Sequence, residues 1–348
     1  MKAGFVVGLT ILLMGCNQVK YEASNRFSSR DFLETIHLNE VGEGIELISS
    51  PSMLALSGDS LLFINSAENG KMLTKINLRS NNEMDHYIDF GSGPNDMGYC
   101  KHIRIKGDTV WLFDKQLTKV TKFLVSSFKQ SDQVECIDFV RIKNCMFDNV
   151  QWIGDVLVAN SLSTPDSRFV MYSREGTVLK DHISMPYYGT ELSTYAQAEA
   201  FLCKMCSYRD SILFLAYNNT DLIEKYDLNG LLIKRMHGPD GFFPDVNEAR
   251  KGDMMQVVHT LGVARIGYES PVIVNDELWV LYSGKVFDPT IPNLFLMDEI
   301  LVFDLDLNPV RRYTLDRGIY SFDVDTTNKI IYGLTVEPDI RIITFQYN

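Results

Sequence analysis

Past its first sixteen residues the chain has almost no helical periodicity, which excludes a fold built on packed helices. It also lacks a basic excess. With a net charge of −12 and a pI near 5.0, no broad cationic face is available for nucleic acid, although an acidic surface leaves room for a local basic pocket. A membrane-spanning run is missing too: the apolar stretch from Ala3 to Met14 falls well short of the roughly 20 residues that cross a bilayer. Five cysteines follow Cys16, at positions 100, 136, 145, 203 and 206, an odd number at irregular spacing that is not the disulfide framework of a small secreted domain. Cys203-x-x-Cys206 runs into the apolar strand SILFLAY instead of a helix start, so it reads as buried thiol or a single disulfide before redox or zinc chemistry. There is no H-E-x-x-H, no Asp-box repeat, and no Ser-His-Asp arrangement to be argued from six scattered histidines.

What is present begins with MKAGFVVGLTILLMGC: one lysine, an apolar core, and glycine directly before cysteine. This is the pattern of a secretory leader. Leu13, Met14, Gly15 and Cys16 resemble the lipobox of bacterial lipoproteins, which implies removal of residues 1–15 and acylation of Cys16 as the only membrane attachment. Residues 16–30 then read as a polar tether, and 31–348 as the folded domain.

That domain is written as a repeat. An acidic or amide residue, often after glycine, opens an apolar run six times: GDSLLFIN at Asp59, GDTVWLFD at Asp108, GDVLVAN at Asp155, RDSILFLA at Asp210, NDELWVLY at Asp276 and TNKIIYGL at Asn328. The openings are 49, 47, 55, 66 and 52 residues apart. Each has a short apolar run before it and up to two after it, with Gly-Asp, Asn-Gly or Glu-Gly at the turns. Four runs per unit of this length predict four-stranded antiparallel blades, and six units predict an all-β, six-bladed β-propeller. The sixth unit stops one run short at Asn348, and an unassigned run, DFLETIHL at 31–38, precedes the first. The simplest closure donates that N-terminal run as the outermost strand of the last blade. Two insertions interrupt the count: 186–200, where YAQAEAF predicts one helical turn, and 242–265; residues 286–297 further lengthen the middle hairpin of the fifth unit.

Between the first two units lies FGSGPNDMG. A phosphate loop needs Gly-Lys-Ser/Thr or a third glycine opening a helix; here Pro94, Asn95 and Asp96 make a turn, so the stretch reads as a tight crossing from one blade to the next. The openings, together with Gly91, Gly93, Pro94 and Asp96 and a partial echo at Gly238, Pro239 and Asp240, resemble the six-bladed propeller lipoproteins of Bacteroidetes described as TolB-like or NHL-like. The resemblance implies an envelope protein that binds something, and it carries no common activity; a monomer is expected. Asn17, Gln18, Val19 and Lys20 depart from the acidic residues that commonly follow the cysteine of exported members, so either membrane face stays open.

Propeller ligands sit over the central channel, where the inner strands converge. Reading back seven residues from each opening gives Ser52, Lys101, Asp148, Cys203, Glu269 and Ser321, a polar column expected to ring one mouth. His102, Arg104 and Lys204 lie on the alternate face as second choices, and His259 and Arg265 sit in the later insertion, where they could cap the mouth. A mixed-charge rim suits a small polar ligand, such as a sugar or a peptide carboxylate, bound without catalysis or cofactor. The alternative is an enzyme acting on a sugar, lactone or polysaccharide, with Asp148, Asn149, Glu269 and Asp323 gathered around calcium. A third reading is an accessory subunit docking an envelope protein through the insertions.

Overall fold

The repeat closes into a ring. The computed structural model describes residues 25–348 apart from 59–60, 66–69, 81, 130–133, 143–146, 162–166, 182, 184, 186–191 and 252–253; Cys16 and its leader, Asp59 and Cys145 lie outside the described residues. Six antiparallel sheets are strung in chain order, with inner strands Leu54–Ser57, Cys100–Lys106, Phe147–Ile153, Cys203–Tyr208, Tyr268–Val274 and Ser321–Asp325, which we number as blades 1 to 6. The inner hairpins need backbone turns with positive φ, and this is what the recurrent Gly-Asp supplies: Gly107 has φ +56° and Gly154 +58°. Blade 4 puts Arg209 in that conformation, and blade 5 puts both Asn275 and Asp276 there.

Hydrophobic side chains alternate to the two faces of each blade, so the core is split into six clusters, one in each interface between neighbouring blades. The interface of blades 1 and 2, for example, buries Phe63, Leu73, Ile103, Leu112 and Phe123 completely.

Closure does come from the N-terminus, but not from the run expected. Glu34–Leu38 adds in parallel to Pro309–Ile319, making a fifth strand on blade 5. The last blade is completed by the short strand Ile45–Glu46, antiparallel to Arg341–Gln346. The tether also ends earlier than residue 30. Arg26 bridges to His237 on blade 4, and Phe27 is buried with Phe32 against Phe303, with ring centroids 5.3 to 5.9 Å apart in edge-to-face contacts.

The described parts of both insertions contain regular elements. Thr194–Ala200 is an α-helix capped by Ser193, longer than the single turn expected, and Val246–Lys251 pairs with Met254–His259 as a separate hairpin. They pack together, Ser193 N donating to Glu248 Oε1 at 2.7 Å. In the FGSGPNDMG crossing, the groups presented are carbonyls. Lys119, only 1% exposed, donates its ammonium to the carbonyls of Gly93, Pro94 and Asp96 at 3.0, 3.3 and 2.6 Å. That polarity is opposite to a phosphate cradle, whose backbone N–H groups point at an anion.

Candidate functional site

The inner strands bring the expected column to one end of the channel. A hollow of about 50 Å³ is lined by Ser52, Lys101, Glu269 and Ser321, joined there by His102, Arg104, Lys204 and Asn149. Asp148 stands beside it through Lys204, whose Nζ lies 3.8 Å from Asp148 Oδ2 and 3.7 Å from Glu269 Oε1. Cys203, the blade 4 member of the column, instead turns into the core between blades 3 and 4, and Lys204 takes the channel position.

The reason lies in the register. The inner strands of blades 2, 3 and 5 each slip by a bulge near their start, between Cys100 and His102, between Phe147 and Asn149, and between Glu269 and Val272. A bulge inserts an unpaired residue and re-aims its side chain, which is how Lys101 and Asp148 leave the ladder. Blade 4 pairs without a slip from Cys203 to Tyr208, so its parity differs by one.

A set of residues that sequence reasoning passed over holds the rim. Asn65 directly follows the second strand of blade 1, Leu61–Ile64; its Nδ2 donates to Ser52 Oγ at 2.6 Å and to the Cys100 carbonyl at 2.8 Å, while its Oδ1 accepts from Met53 N at 2.8 Å. Asn218 does the same for blade 4, donating to the Tyr268 carbonyl at 2.8 Å and to Glu269 Oε1 at 2.7 Å. Each ties its own blade to the next. Their signal was present in the motifs themselves, since the openings end in FIN, LFD, VAN and AYN.

Charge at the mouth is unevenly shared. Asp148 is desolvated, which would raise its pKa, yet Lys204, Lys101 and Lys115 together hold it down to about 2. Burial, offset in part by Lys204, pushes Glu269 up. Burial and then the neighbouring Lys204 push Lys101 down, and burial holds His102 neutral, well below the usual histidine range. Lys115 pairs with Asp148 at 3.2 Å. Among the described residues no carboxylate lies within ion-pair distance of the Lys101 ammonium, so three lysines face two carboxylates.

Arg104 closes the floor. Its guanidinium donates to the Met205 carbonyl on blade 4 at 2.9 Å and to Gln151 Oε1 on blade 3 at 3.3 Å, crossing from blade 2. Asp323 lies on the far side, with Oδ2 accepting from Leu56 N at 2.9 Å and Oδ1 from Val324 N at 2.8 Å. Asp148, Asn149, Glu269 and Asp323 therefore do not converge as a set, and among the described residues no group of three or more His, Cys, Asp or Glu is placed to hold a metal. His259 and Arg265 do not line the mouth either: the His259 ring stacks at 5.1 Å on Phe287, and Arg265 donates to the Gly284 carbonyl at 3.2 Å.

Comparison with known proteins agrees with this architecture. A family model described as TolB-like 6-blade propeller-like matches residues 27–327. No curated protein matches the chain. Among solved structures, the WD40 β-propeller domain of Doa1 aligns with a TM-score of 0.50 at 9% identity, covering 89% of this chain and 97% of that one. Raptor from Chaetomium thermophilum aligns at 0.48 and 11% identity, covering 89% of this chain but 29% of that one. At 9% identity the likeness to the Doa1 domain concerns the fold alone. With most of its length matched by the family model, the chain belongs to the TolB-like six-bladed propeller family.

Proposed function

We propose that this propeller is a non-catalytic binding protein that takes one anionic group of a polar ligand, such as a peptide carboxylate, into the channel mouth. The observation that carries the reading is Lys101: a largely desolvated ammonium at the rim with no carboxylate partner among the described residues. A desolvated charge is stabilised by an opposite charge brought to it, and Arg104 in the same lining adds to the positive surplus. The hollow of about 50 Å³ has room for a few waters or one functional group, so the rest of such a ligand lies above the rim. Glu269, Ser52 and Ser321 offer it further hydrogen bonds. Asp148 and Glu269 are both held by Lys204, which favours binding over general acid or base work. We further propose that Cys16 carries lipid and holds the protein at the cell envelope, a reading that rests on the Leu-Met-Gly-Cys stretch.

Calorimetric titration of the protein with peptides ending in a free carboxylate and with their C-terminal amides tests the first part. Binding of the acids that weakens at least tenfold for the amides and for Lys101→Met is expected; equal binding of acid and amide overturns it. For the anchor, Cys16→Ala should move the protein from the membrane to the soluble fraction, and an unchanged distribution refutes it.

A further inference from the structure

A second feature lies away from the mouth. Blades 2 and 3, with Ser207 and Asp210 of blade 4, line a cavity of about 300 Å³, which reaches toward the face carrying the Gly-Asp turns. That volume is at the lower end of the range for small-molecule sites. Its wall is divided by chemistry. Trp111 and Trp152 form one aromatic surface, ring centroids 5.1 Å apart at 36°, backed by Phe113 and Val150. Cations edge this surface. Lys122, cross-strand from Trp111 on blade 2, lies 4.9 Å from its ring centre, and Arg104 enters from the axis, its hydrogen bonds among the described residues going to neutral acceptors. Lys106 is paired at 2.6 Å with Asp210, the one carboxylate among the described residues of the lining. His102, 6% exposed, and Trp152 belong to the same wall, and His102 Nδ1 and Trp152 Nε1 are buried without a hydrogen-bond partner among the described residues.

In water such a cavity is hydrated, and a flat guest that displaces this water gains dispersion contacts with the aromatic wall and can meet the ring nitrogens. Three cations against one carboxylate call for an anion, and a flat indole surface calls for a flat apolar body.

We propose that the wedge between blades 2 and 3 is a second ligand site, separate from the channel mouth, for a small organic anion with a flat apolar body. Arg104 and His102 line both the wedge and the mouth, so the two sites share a wall.

The probe is 4-nitrobenzoate, a planar anion that quenches tryptophan, titrated into the purified full-length protein by fluorescence and calorimetry beside its neutral analogue 4-nitrobenzamide. Saturable binding is expected, at least tenfold weaker for the amide. Lys122→Gln and Trp111→Leu should each weaken it at least tenfold, and Lys329→Met, on blade 6, should leave it unchanged. Circular dichroism and melting confirm that each variant is folded, and with two independent variants one misfolded protein does not remove the test. No saturable binding, equal affinity for acid and amide, or full affinity in folded Lys122→Gln and Trp111→Leu each overturns the proposal; in the last case the probe sits elsewhere, the mouth included.

Discussion

The interface between blades 4 and 5 and the one between blades 2 and 3 grow from the same repeat and each holds a buried apolar cluster, yet the second opens at one end into a cavity. In the first, Phe214, Ala216, Tyr268, Leu278 and Val280 are all at most 1% exposed, and the N-terminal Phe27 and Phe32 cover the outer end against Phe303. In the second, Arg104, Gln151 and Lys122 take up positions on the facing walls. Long polar side chains that keep their heads hydrated or hydrogen-bonded hold two sheets apart where aliphatic ones would draw them together. A propeller interface is thus as tight as the least apolar pair of facing strands allows.

The contrast can be broken by substitution. Phe303→Ala, which removes the ring that Phe27 and Phe32 pack on, should cost about 4 kcal/mol in urea unfolding, against about 1 kcal/mol for Trp111→Ala, whose ring already borders open volume. Next in size is an acid effect at the mouth end, where Lys204 ties blade 3 to blade 5. Asp148 has its folded pKa depressed from 3.8 to about 2, so its contribution is complete above pH 4 and is lost as the pH falls toward 2. Asp148→Asn should remove about 2 kcal/mol of stability at neutral pH and flatten the stability curve over that window. Glu269, raised above 4.5, acts in the opposite sense, its contribution being present below that value and lost as the pH rises through the folded one. The smallest effect is the sharpest comparison. One added methylene by Val280→Ile in the filled interface should cost about 1 to 2 kcal/mol, whereas Val150→Ile at the wedge should gain about 0.5 kcal/mol. Two losses of equal size would show that the wedge is already full in solution.

Blade number and inner strands were legible because they depend on local chemistry: a turn that needs positive φ leaves glycine or asparagine in the sequence, and a strand facing two cores leaves an apolar run. The closing strand was not legible for the converse reason. Glu34–Leu38 joins blade 5 in parallel, without a turn to mark its partner, and Ile45–Glu46 is too short to show a period. The mouth column was half readable. Its polar residues could be collected by counting back from Asp or Asn, but a bulge shifts parity by one residue without a compositional trace, so Lys204 was ranked behind its column and Cys203 was placed in it. The wedge could not have been read at all, since its width is a distance between strands some fifty residues apart, Arg104 and Gln151 being 47 positions from each other.

The route of the first twenty-two described residues has a mechanical meaning. From Arg26 to Glu46 the chain passes the outer edges of blades 4, 5 and 6 in turn, touching His237, then Arg311 to Leu315, then Arg341 and Ile342, before it enters blade 1. A pull applied at the N-terminus is therefore met first by the buried Phe27, next by five parallel strand pairs, and only last by the short pairing that completes blade 6. Tension is spread around half the ring before it reaches the seam, much as a strap wound around a barrel loads several staves before it strains the one it is fixed to.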